Sequence, residues 1–245
     1  MKLLAKMSWL ELKLFLREPI TVIFALALPL VMLFVMGGVF GNEAEAGFYR
    51  GIGAMDYYVP AYVALVAASV GLISLPVHIA GNRERGVLKR YHASSMPTWV
   101  VVGSAVVTTV TISAVSALVL VAVAMPLHDV TPPDGLPLTL AGFALSALTF
   151  AALGVLLGAV LPTARAAQGL GVMLWFVMLM LGGAGPPPEV LTGFMATVGD
   201  WTPLRHAIRA MQDAWFGLDA GLSWLITAFV LAGAAALSLR FFRWE

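Results

Sequence analysis

From residue 99 to residue 125 the chain runs 27 residues without a charged side chain. As a helix, at about 1.5 Å per residue, that run is about 40 Å long, more than the ~30 Å hydrocarbon core of a bilayer. A stretch of this kind cannot be hidden in an ordinary soluble core, and it is not alone. Apolar runs also cover residues 20–40, 57–80, 138–161, 168–183 and 221–239, separated by short polar connections. The 245-residue chain is 60% hydrophobic and 11% charged, where a soluble domain carries about 25% charged residues. The expected fold is an all-α integral membrane protein with six transmembrane helices in a single domain over residues 1–245.

The first run follows Lys2, Lys6, Lys13 and Arg17 and precedes Ala44, Glu45 and Ala46, which together have the outline of a signal peptide. At 21 residues (20–40) it exceeds a signal core of about 7–15 residues, and an amphipathic segment precedes it, so it reads as a retained span. Pro19 begins it where a missing N–H costs little. Residues 1–18 read as an interfacial helix. Leu3, Leu4, Met7, Leu10 and Leu14 share one face, basic residues share another, and Trp9 suits a headgroup boundary. The same charges would also serve as plain topology signals.

Orientation follows from Lys and Arg. With a cytoplasmic N-terminus the inner side holds eleven of them: Lys2, Lys6, Lys13, Arg17, Arg83, Arg85, Lys89, Arg90, Arg165, Arg240 and Arg243. The outer side holds three: Arg50, Arg205 and Arg209. Both termini are therefore expected in the cytoplasm, with the protein multi-pass in the plasma membrane.

No run carries Asp, Glu, Lys or Arg near its middle. Ion-coupled carriers normally need such a group. The nearest ionisable residue is His78, near the inner end of the second run, where an interfacial role competes with a proton relay. With no Cys, there is no disulfide, thiolate metal site or Cys nucleophile. H-E-x-x-H and G-x-S-x-G are absent, and no Lys follows a Gly, so the phosphate-binding loop is absent too. Ser104, Thr108, Thr109, Thr111, Ser113 and Ser116 read as helix-packing residues, and Gly154 with Gly158 as a G-x-x-x-G contact, within the chain or across a dimer. Nothing points to enzyme chemistry, a cofactor or metal in this chain, or a nucleic-acid partner.

Two stretches carry more. Residues 82–97 (NRERGVLKRYHASSMP) form a basic island between two apolar runs. Val87, Leu88 and Tyr91 lie among Arg85, Lys89 and Arg90, a mixture that suits a docking surface as well as a positive-inside loop. Residues 184–220 begin with three prolines, Pro186, Pro187 and Pro188, which break the fifth run. Two short helical segments follow. In the second, after Pro203, Leu204, Ala207, Ile208, Met211 and Trp215 fall opposite Arg205, Arg209 and Asp213.

The order Glu84, Gly86, Leu88, Lys89, Arg90, then Pro97 and a new span, resembles the first cytoplasmic loop of type-2 ABC transporter permeases, the drug, antibiotic or polysaccharide export family that includes daunorubicin-resistance-like permeases. It departs at Ser94, Ser95 and Met96, where many relatives carry Thr directly before the Pro. The resemblance implies that Glu84, Arg85, Gly86, Leu88, Lys89 and Arg90 belong to a coupling helix seated on an ATP-binding subunit. It also implies that Pro187, Pro203, Arg205, Arg209 and Asp213 belong to an extracellular re-entrant pair. The implied assembly has two ATP-binding subunits, which bind ATP and Mg, and two permease copies, as a homodimer or with a similar chain. The expected activity is ATP-driven export of an amphipathic or hydrophobic compound (drug, antibiotic or lipid-like). Tyr57, Tyr62, Met173, Phe176 and Met180 are candidate pathway residues, although Met at helical spacing also suits core packing. The alternative activity is gradient-driven transport or a channel.

Overall fold

A computed structural model of the chain describes residues 2–15, 17, 23–44, 47–219 and 221–241. Pro19, Ile20, Glu45, Ala46 and Arg243 lie outside the described residues. Five helices are long and apolar enough to cross a membrane: Ala54–Glu84, Thr98–His128, Leu136–Val160, Ala164–Leu181 and Leu222–Phe241. They are the second to sixth spans in chain order. A shorter apolar helix, Ala25–Phe40, precedes them as the first. Among the described residues the β structure is one isolated bridge, Ala44 to Gly53. The protein is an all-α integral membrane protein.

The second span is the hub. Its apolar stretch is 89% buried, against 22% for the fifth and sixth spans. The first, third, fourth and fifth spans pack around it. The sixth packs on the fourth and on helix Pro203–Trp215. The fifth and sixth therefore present apolar side chains outward, among them Phe176, Leu225, Phe229 and Leu239.

That hub is longer than the expected 57–80, because its helix continues through Asn82, Arg83 and Glu84. It also contains a π-helical turn, Val70–Ser74, two residues before Pro76. Proline lacks an N–H and crowds the carbonyl four residues back, here that of Leu72. A wider π turn absorbs both defects without ending the helix. The first span repeats the arrangement, with a π turn at Ile23–Ala27 two residues before Pro29.

The widened turn is where backbones come closest. A Cβ on Gly154 of the fourth span would meet the Gly71 carbonyl oxygen, and one on Gly171 of the fifth the Leu72 carbonyl oxygen. A Cβ on Gly158 would stand 2.8 Å from that of Ile79. The G-x-x-x-G pair thus serves a contact within the chain. Without a strong hydrophobic drive between helices in lipid, this close packing of small residues is a main source of association.

Candidate functional site

The basic island is built partly from the hub and partly from a short helix, Val87–Ala93. The hub ends at Gly86, whose φ of +70° places it in the left-handed region that a residue without a Cβ adopts readily. Its N–H donates to the Arg83 carbonyl at 2.9 Å. At the other end Ser94 N donates to the Arg90 carbonyl at 3.0 Å, and Pro97 caps the third span. Ser95 has a φ of +57°, which makes the turn at the place where the resemblance departs.

The last two residues of the hub helix staple neighbouring helix ends. Arg83 donates from Nη1 to the Gly158 and Ala159 carbonyls, at 3.1 and 2.9 Å, and from Nη2 to the Leu161 carbonyl. These are last-turn carbonyls of the fourth span and its cap, which lack helical N–H partners and carry the negative end of the helix dipole. Glu84 Oε2 accepts from Ala164 N at 3.1 Å, at the positive start of the fifth span. Thr163 caps the same start by accepting from Ala166 N at 3.1 Å. A cation at one helix end and an anion at the next hold the short link between the fourth and fifth spans to the hub.

Leu88 is 1% exposed. It packs with Met7 of the N-terminal helix Lys2–Phe15 and with Val100 and Val101 of the third span, flanked by Tyr91 and Met96. An outward Leu88 in a docking face does not match this arrangement; in a helix of one or two turns, burial against two neighbours decides which side faces in. Arg85, Lys89 and Arg90 are exposed.

The N-terminal helix lies along the third span. Its protein-facing side holds Met7 and Glu11, while Leu3, Trp9, Leu10 and Leu14 stay exposed as an apolar strip. Glu11 is 7% exposed. It accepts from Ser104 at 2.9 Å and Thr108 at 3.4 Å, and His78 Nε2 stands 4.0 Å from it. Burial pushes the Glu11 carboxyl up to about 7, against the two hydroxyl hydrogen bonds that lower it. Sequence reasoning assigned Ser104 and Thr108 to helix packing and gave Glu11 no role. An isolated Glu on a Leu-rich amphipathic helix could have flagged it.

At the opposite end of the bundle the fifth span breaks at residues 182–185. Tyr57 and Tyr58 of the hub donate to the Gly183 and Gly185 carbonyls, at 3.1 and 2.8 Å, and hold the break in place. Two helices follow, Gly193–Asp200 and Pro203–Trp215. The apolar residues of the second, Leu204, Ala207, Ile208, Met211 and Trp215, are buried as expected. Arg205 and Asp213, which helical spacing puts opposite those residues, are buried as well, at 7% and 9% exposure. Each has an opposite charge to meet. Asp213 pairs with Arg50 at 3.0 Å, and Arg205 with Asp200 at 3.0 Å. Gln212 bridges further, accepting from Arg50 at 3.2 Å and donating to the Tyr57 carbonyl at 3.1 Å. Arg209 is exposed, Pro187 is buried and Pro203 half-buried.

Of the five pathway candidates, Tyr57 and Tyr62 are buried in the hub, Met173 and Phe176 are exposed on the fifth span, and Met180 is half-buried. Tyr57 alone of the five lines the cavity of about 250 Å³ formed by Arg50, Arg205, Arg209, Glu189 and Asp213. Arg50 was missed because it lies in the loop between the first and second spans, 163 residues from the Asp213 it pairs with.

A family model described as "ABC-2 type transporter" matches residues 2–216. That range spans the N-terminal helix, the stapled basic island and the helix Pro203–Trp215, and the chain belongs to this family. It is the permease component of an ABC transporter, and the family implies an ATP-binding partner subunit. No curated protein matches the chain.

Proposed function

We propose that the chain is the membrane half of an ATP-driven exporter that moves an amphipathic or hydrophobic compound out of the cell. Two permease copies and two ATP-binding subunits form the assembly, and both termini lie in the cytoplasm. The supporting observation is the mechanical position of Val87–Ala93. It joins the second and third spans, bears on the N-terminal helix through Leu88, and adjoins the Arg83 and Glu84 contacts to the fourth and fifth spans. A push on this one helix therefore reaches the N-terminal helix and four spans. Lys89 and Arg90 on its exposed side, with Arg85 exposed in the turn before it, form the side proposed to meet the ATP-binding subunit. Gly86 supplies the turn, Glu84 the anchor and Leu88 the pivot.

A second reading rests on the buried Glu11 beside His78, since a buried carboxyl next to an imidazole is what a proton-coupled carrier would use. The two readings separate in proteoliposomes loaded with a lipophilic cationic dye. The exporter reading expects dye movement only with the ATP-binding subunit and ATP. Movement by the chain alone on an imposed proton gradient would establish the second reading instead.

A further inference from the structure

The cavity at the end opposite the basic island is walled by three guanidinium groups, Arg50, Arg205 and Arg209, and two carboxylates, Glu189 and Asp213. The carboxylates do not satisfy the guanidinium groups. Asp213 is engaged by Arg50 at 3.0 Å, and Asp200 takes only Nη2 of Arg205. Nε and Nη1 of Arg205 have no acceptor among the described residues, although the residue is 7% exposed. Arginine does not shed its charge, so two buried donors of a permanent cation are left without an acceptor. Leaving such donors unmade is costly, and native structures rarely do so without a bound group. Arg209, one helical turn on from Arg205 and on the same face, stands exposed at the mouth. Glu189 is exposed beside it and works against any anion that reaches only the mouth.

We propose that this cavity binds an anionic group, a phosphate or carboxylate, against Arg205, with Arg209 as its outer cation. At about 250 Å³ the cavity falls below the 300–1,000 Å³ of pockets that enclose drug-sized ligands. It holds a head group and leaves an apolar remainder outside. Tyr57 and Gln212 also line it; Gln212 ties helix Pro203–Trp215 to the hub through the Tyr57 carbonyl, and Tyr57 ties the hub to the break after the fifth span through the Gly183 carbonyl. The inference takes from the proposed function only that the ligand is amphipathic.

The test is native mass spectrometry of the purified chain with added phosphatidylglycerol or phosphatidylcholine, with inorganic phosphate as a competitor. The wild type is expected to retain phosphatidylglycerol at least about tenfold better than phosphatidylcholine, the factor that one charge-assisted hydrogen bond supplies. Arg209→Gln, at an exposed position that should fold normally, is expected to remove most of that preference. Arg165→Gln, exposed at the other end, should keep it. Competition by millimolar phosphate would identify the anion alone as the ligand; its absence would identify a lipid head group. Equal retention of the two lipids with no effect of phosphate, or equal losses in the two variants, would overturn the proposal. No nucleotide or ATP-binding subunit is present, so failure here leaves the transport reading standing.

Discussion

Glu11 is the residue with the most consequence for its size. Its ordinary value of 4.5 is raised to about 7 because the charged form is buried. The folded state therefore holds a proton that the unfolded chain releases. Below about pH 4.5 both states are protonated and the stabilising difference is fully present; it is lost as pH rises through 7. The shift corresponds to about 3 kcal/mol of docking free energy between those limits. The groups facing it are His78 on the hub, Ser104 and Thr108 on the third span, and Tyr91, whose own hydroxyl is pushed up by burial and by Glu11. Glu11→Gln leaves His78 in place. Its thermal midpoint is expected to fall less than that of the wild type between pH 5 and pH 8; parallel profiles would contradict the assignment. This residue was hidden from sequence reasoning because a carboxylate on an amphipathic helix is normally solvated. Only the arrival of Ser104 and Thr108, 93 and 97 positions away, gives it buried partners. The burial of Arg205 and Asp213 was hidden for a related reason. Helical spacing separates apolar from charged residues, but it does not reveal that a charged face will meet an opposite charge from elsewhere.

The helices were legible where they are simply apolar, because an uncharged run longer than the bilayer core has few alternatives. Their ends were not. Asn82, Arg83 and Glu84 read as part of the basic island, with Glu84 in its coupling helix, yet they extend the hub helix, and Arg83 and Glu84 cap the fourth and fifth spans. The π turns before Pro29 and Pro76 were also invisible, since proline marks a local defect without saying how it is absorbed. The G-x-x-x-G pair was legible as a contact but not by its partners, which are the widened turn at Gly71 for Gly154 and Ile79 for Gly158. Gly154→Ala places a Cβ against the Gly71 carbonyl oxygen. It is expected to cost about 1–3 kcal/mol, the usual price of overpacking. Gly233→Ala on the sixth span, where a Cβ meets nothing within 4 Å, should be neutral. Thermal unfolding in detergent compares the two, and equal stabilities would contradict the close approach.

For the whole molecule, the arrangement separates two tasks. One end carries the stapled basic island, and the other carries a charged cavity under two short helices. The hub helix Ala54–Glu84 contributes to both, with Tyr57 at one end and Arg83 at the other. It therefore offers a continuous connection between the proposed energy input and the proposed anion site. The π turn at Val70–Ser74, packed on Gly154 and Gly171, lies within it as the natural place for the two halves to bend.

In the proposed exporter the exposed side of Val87–Ala93 receives the ATP-binding subunit. The most direct measurement is co-purification of that subunit, with its ATP hydrolysis rate, for the wild type, for the double reversal Lys89→Glu and Arg90→Glu, and for Leu88→Ala. Leu88→Ala opens a buried site and is expected to cost about 2–5 kcal/mol of stability, so its defect should include a lowered thermal midpoint. The double reversal changes exposed residues. It is expected to keep the wild-type midpoint while co-purification and stimulated hydrolysis both fall at least about tenfold. Full retention of association and hydrolysis in the double reversal would contradict the account.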